Sequence, residues 1–175
     1  PGQRDLPFCI HTRYSTQQAI LEDIVASLYA QGMRKLIILS GHGGNNFKGM
    51  IRDLAFVYPD FLIIAADWFS IVPPKDYFEA VVDDHAGESE TSVMMHYHPE
   101  LVNLAEAGDG ESQPFAIPSL NEKVGWAPRH WNKATVDSGV GNPKKASAEK
   151  GERYMKPVVE KLSKLFTEVG QGSLY

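Results

Sequence analysis

The sequence predicts an α/β fold built on parallel strands. Two short runs, Leu36-Ile37-Ile38-Leu39 and Phe61 to Ala66, are apolar at every position, as strands covered on both faces of a parallel sheet are. Between them Met50, Ile51, Leu54 and Val57 recur at helical spacing. The order is therefore strand, helix, strand, and parallel strands need such a crossover.

In chain order, Pro1 to Arg13 is turn-rich. Ser15 reads as a helix N-cap, with Gln18 three residues on completing a capping box. Ile20, Ile24 and Leu28 repeat at helical spacing, and Leu21 and Val25 widen the stripe. Gly32 stands where a glycine ends a helix. After the first strand comes a polar loop, Ser40-Gly41-His42-Gly43-Gly44-Asn45-Asn46, in which Asn45 or Asn46 caps the crossover helix. Pro59-Asp60 breaks that helix. A third helix is expected from near Gly87 to Pro99, then an irregular stretch from Ala107 to Pro143. The last helix is expected from about Ala146 to Val169, with Met155, Val159, Leu162, Leu165, Phe166 and Val169 on one face and Pro157 kinking it or marking a late start.

Composition narrows the function. The chain has 175 residues, 43% hydrophobic and 22% charged, ordinary values for one globular domain. Its net charge of −5 offers no broad basic surface to a nucleic-acid backbone. No apolar run reaches the ~18 residues of a membrane span. The single cysteine, Cys9, has no internal partner, which suits a reducing, cytoplasmic setting. The chain begins at Pro1 with no targeting pattern, like a piece of a longer sequence.

Two clusters carry chemistry. Gly41-His42-Gly43-Gly44-Asn45 follows a buried strand and precedes a helix, where open α/β sheets bind ligands. Its glycines let the backbone approach a ligand or take positive φ. His42 is a candidate metal ligand or general base, and the backbone a candidate anion cradle; the plainer alternative is a tight turn with a solvated histidine. No Gly-Lys-Ser/Thr follows, so this is not a Walker loop. The second cluster is Asp83-Asp84-His85-Ala86-Gly87-Glu88-Ser89-Glu90. On a helical turn His85 and Glu88 share a face, while Glu90 points elsewhere. Imidazole with carboxylate suits zinc, manganese or iron and also proton transfer; acidic residues favoured at a helix start are the competing reading.

Taken together, Ser40-Gly-His-Gly-Gly-Asn45, His85-Ala-Gly-Glu-Ser-Glu-Thr-Ser92 and the tail Ser138-Gly-Val-Gly-Asn-Pro143 with Ala148-Glu-Lys-Gly-Glu152 resemble the creatininase (creatinine amidohydrolase) family. The resemblance implies a three-layer α/β/α fold with a mostly parallel sheet. It also implies a homo-oligomer, often a hexamer, and hydrolysis of cyclic amide or formamide C–N bonds in small molecules with one or two divalent metals, zinc first, manganese or iron as alternatives. By the same resemblance His42 and Glu88 are metal ligands, His85 with Asp84 is the proton-transfer pair, and Glu90 supports the catalytic group. A short-peptide peptidase and a non-catalytic binding or assembly subunit are the alternatives. Gly44 stands where creatininase itself has a glutamate, which sets this chain apart from it. A bound metal would lower the pKa of water from 15.7 to about 7, and His85 is the residue type suited to protonating the leaving nitrogen. Two ligands fall short of the three typical of a catalytic zinc site. A single domain over residues 1–175 that lacks its N-terminal portion is therefore expected.

Overall fold

A computed structural model describes residues 3–4, 6–7 and 9–173. Pro1, on which the expectation about the start of the chain turns, lies outside them. The chain forms two compact units, one of residues 12–72 with Val158 onward, the other of residues 73–157 with the residues before Thr12.

The first of these holds the strand–helix–strand core. Helix α1 spans Tyr14–Ala30, strand β1 Lys35–Ser40, helix α2 Lys48–Val57 and strand β2 Leu62–Asp67. β1 and β2 pair in parallel, from Lys35↔Leu62 to Ser40↔Asp67. One face of this pair packs Ile63 against Leu21 and Val25 of α1 and Met50 and Leu54 of α2, with Phe61 closing the cluster. The strands are less covered than their composition suggests: Leu39 is 50% exposed, because β1 and β2 form a two-stranded sheet among the described residues.

Several local expectations shift. α1 starts one residue before Ser15, from Arg13, with no side-chain cap; Gln18 instead reaches Asp53 on α2. The buried stripe is Leu21 and Val25, whereas Ile20 and Ile24 are 52% and 45% exposed. At the other end Gly32 takes φ +86°. Its N–H bonds the Tyr29 carbonyl and the Met33 N–H bonds that of Leu28, the paired bonds of a Schellman motif. α2 begins after Phe47, so neither Asn45 nor Asn46 is the N-cap residue. Asn46 still accepts the Lys48 N–H, at 3.2 Å.

The second unit is built on strand β3 (Asp83–His85), helix α3 (Glu88–Tyr97), two single-turn helices α4 (Pro118–Asn121) and α5 (Trp131–Ala134), and strand β4 (Val140–Gly141), which pairs antiparallel with β3. The stretch from Ala107 to Pro143 is mainly irregular, as expected, but the β3–β4 pairing has no alternating pattern to announce it. Gly141 (φ +117°) donates its N–H to the Gly110 carbonyl, and a Cβ on Gly110 would overlap that Gly141 backbone. Helix α6 (Ala148–Gln171) contains Pro157 and contributes to both units. Its buried row is Gly151, Tyr154, Val158 and Leu162. Val159 and Phe166 of the expected face are 46% and 42% exposed.

Candidate active site

The glycine loop sits at the carboxyl end of β1. Its own backbone closes it: the Asn45 N–H bonds the His42 carbonyl at 3.1 Å, and the Trp68 indole N–H reaches the Gly41 carbonyl at 3.4 Å. The His42 ring folds back so that Nδ1 accepts the Gly44 N–H at 2.9 Å. With Nδ1 accepting, the neutral ring carries its proton on Nε2. None of the three loop glycines has positive φ; the need for glycine is spatial. A Cβ on Gly44 would stand 3.0 Å from Nδ1, displacing the imidazole. Beside the loop, Asn45, Lys48, Arg52 and Asp67 border an open groove of about 300 Å³ floored by Ile63 and Ala65.

The acid–histidine cluster belongs to the other unit and begins with Asp83, Asp84 and His85 on β3. The chain turns sharply after His85: Ala86 lies in the left-handed region at φ 50°. Two side chains from α3 hold that turn. Glu90 Oε2 accepts the Ala86 N–H at 2.7 Å, and the Thr91 hydroxyl donates to the Ala86 carbonyl at 3.2 Å. Asp83 receives the Ser89 N–H on its carboxylate, satisfying a first-turn amide of α3 where the N-cap, Gly87, has no side chain.

The His85 side chain is 20% exposed. Its Nε2 accepts from the Gln3 amide nitrogen at 3.0 Å, which places the ring proton on Nδ1, 3.9 Å from Glu90 Oε2. The Trp131 ring stands edge-on to the imidazole at 4.9 Å. The Arg129 guanidinium lies over Trp131 at 4.8 Å and pairs with Asp84 at 2.6 Å. So His85 and Glu90 come together, while Asp84 is tied to them only through Arg129 and Trp131, and it is Glu90, not Glu88, that faces the imidazole. The expectation that His85 and Glu88 share a helical face fails because His85 is in a strand and the Ala86 turn separates it from the helix.

Glu88 points the other way. It is 0% exposed. Oε2 accepts the backbone N–H groups of Glu79 and Ala80 at 2.9 and 2.7 Å. Oε1 pairs with the Lys150 ammonium at 2.5 Å. Lys150 also reaches Glu79 at 3.0 Å and the Lys145 carbonyl at 2.9 Å, and Lys145 pairs with Glu79 at 2.8 Å. The hydrogen bonds from Lys145 and Lys150 hold the Glu79 carboxyl down at about 2, and Glu88 holds the Lys150 ammonium above its ordinary value. Among the described residues no three His, Cys, Asp or Glu side chains group around a metal position. The Glu88 carboxylate, with both oxygens engaged by cation and amides, does not fit a metal in this arrangement.

Sequence reasoning did not find Gln3, Arg129, Trp131 or the Lys150–Glu79 network. Arg129 and Trp131 lie about 45 residues from His85 in an irregular segment with no periodicity to place them. Lys150 stands in the tail motif, but nothing local in the sequence points to its partner.

The sequence profile of the family described as creatinine amidohydrolase matches residues 1–166. The chain belongs to the creatininase family. A crystal structure from Bacteroides fragilis NCTC 9343, provisionally named a creatinine amidohydrolase, is 82% identical over the whole of this chain and 69% of its own, with TM-score 0.96. A mutant creatininase of Zn-Zn type is 22% identical over 93% of this chain and 67% of its own, with TM-score 0.74. These likenesses carry the α/β creatininase fold. The mycofactocin precursor peptide peptidase of Mycobacterium ulcerans (strain Agy99) is 32% identical over 131 residues, 72% of this chain. The chain spans 45% of that peptidase's length.

Proposed function

We propose that this creatininase-family protein hydrolyses an amide-type C–N bond in a small molecule, with His85 as its proton-transfer group. The observation that carries this is the setting of His85: Gln3 bonds Nε2, Trp131 packs the ring, and Nδ1 lies 3.9 Å from the Glu90 carboxylate. A carboxylate that close to an imidazole stabilises the imidazolium formed when the ring accepts a proton. Asp84, paired with Arg129, is proposed to help orient a polar substrate group. Glu90 is proposed to act through His85 and through the turn that presents it.

Divalent-metal dependence is part of the proposal, supported by the family and by the Zn-Zn type of a structural neighbour. His42 is the proposed donor from this chain, through a ring that would have to give up its Nδ1 contact with Gly44 or shift its proton. Further donors are proposed to lie in sequence outside these 175 residues, in keeping with the share of its relatives that the chain spans. A cytoplasmic homo-oligomer is proposed with it.

A peptidase is the second reading, favoured by the 32% identity to the mycofactocin precursor peptide peptidase. One assay separates them. The full-length protein is offered cyclic amides, N-formyl compounds and short peptides, with and without chelator. Chelator-sensitive turnover of the small amides is expected. Release of amino acids from peptides alone would favour the peptidase, and no turnover with no stoichiometric metal would favour a non-catalytic subunit.

A further inference from the structure

We propose that Glu88 is the buried counter-ion of Lys150 and locks α6 to the β3–α3 turn, rather than binding a metal. The carboxylate is fully enclosed, and each oxygen already has its partners: two backbone amides on Oε2 and the ammonium on Oε1. Three of the roughly four lone-pair sites of the carboxylate are thereby engaged, and its negative charge is already matched by the ammonium.

The surroundings are built for the pair. The Ser92 hydroxyl donates to the Glu88 carbonyl at 2.6 Å and accepts the Ser147 N–H at 3.2 Å, joining α3 to the segment that starts α6. The Lys150 N–H is held by the Ser147 hydroxyl at 3.2 Å. Gly151 lies so close to α3 that a Cβ would overlap the Ser92 carbonyl. Lys150 is therefore delivered to Glu88 by backbone packing, and its remaining bonds to Glu79 and the Lys145 carbonyl satisfy the ammonium. The clamp begins three residues after His85 and fixes the helix whose Glu90 and Thr91 hold the Ala86 turn. None of this depends on whether the protein carries a metal.

Breaking a buried pair by removing one partner is strongly destabilising, whereas removing both leaves no stranded charge. K150M strands an enclosed carboxylate. E88Q keeps an acceptor oxygen for the Glu79 and Ala80 amides and leaves Lys150 bound to Glu79, so it is the milder change. The test compares the full-length parent with E88Q, K150M, the double variant and H42A, reading melting temperature and bound zinc by elemental analysis after zinc loading. K150M is expected to melt about 6 °C or more below the parent, E88Q by less, and the double variant above K150M. E88Q is expected to hold as much zinc as the parent. If K150M is insoluble, a soluble double variant supports the clamp and an insoluble one overturns it. E88Q that loses its zinc while melting like the parent overturns the proposal, as does K150M melting within about 2 °C of the parent. A parent without zinc, or H42A with undiminished zinc, counts against the proposed metal chemistry alone, and the melting pattern then decides the clamp.

Discussion

Ala86 has a conformation that glycine adopts at little cost and alanine does not. Left-handed backbone costs an L-residue about 1–2 kcal/mol, and the bonds from Glu90 and Thr91 hold it there. Ala86→Gly relieves that cost and gives back about 0.5–1 kcal/mol in unfolded-chain entropy. Thermal melts should find the variant as stable as the parent or slightly more so, whereas Ala86→Val should be destabilised by about 2 kcal/mol or more. Glu79 makes a second prediction at this scale. Its carboxyl is lowered from 4.5 to about 2 by Lys145 and Lys150. A group depressed on folding adds stability above its unfolded pKa and loses it as pH falls through the folded one. The stability gap between the parent and Glu79→Gln should be full above pH 5, shrink from pH 4.5 downward and vanish below about 2, as followed by urea melts across that range.

At the scale of elements, α6 approaches α3 closely in the unit that carries His85. Gly151→Ala must push the Ser92 backbone, and overpacking of that kind costs typically 1–3 kcal/mol. Gly170 lies on the same helix with open space, clear to 4 Å, where an added methyl would stand, so Gly170→Ala should instead stabilise by about 0.5–1 kcal/mol. Denaturant midpoints of the two variants should move in opposite directions. Helix and strand identities are legible in the sequence where period and length agree: α1, β1, α2, β2, α3 and α6 all form near their expected places. The buried faces of α1 and α6 are less legible, since each helix carries more apolar residues than it buries and the packing partner chooses the row. β3 and β4 are not legible at all, being two or three residues long and held by a glycine contact rather than by alternation.

For the whole molecule, the motifs mark the family, while the direction of each side chain is not in them. Spacing puts Glu88 beside His85; the left-handed turn at Ala86 sends Glu88 inward to Lys150 and brings Glu90 to the imidazole instead. The partners Gln3, Arg129 and Trp131 arrive from distant sequence, and only the folded chain assembles them. The central claim is that His85 transfers a proton in C–N bond hydrolysis, and the most direct measurement is kcat for the full-length protein and His85→Ala on the best substrate of the amide panel. Loss of general acid–base assistance predicts a fall of about 10²–10⁴-fold in kcat with melting temperature and metal content little changed. An undiminished kcat in His85→Ala would contradict it.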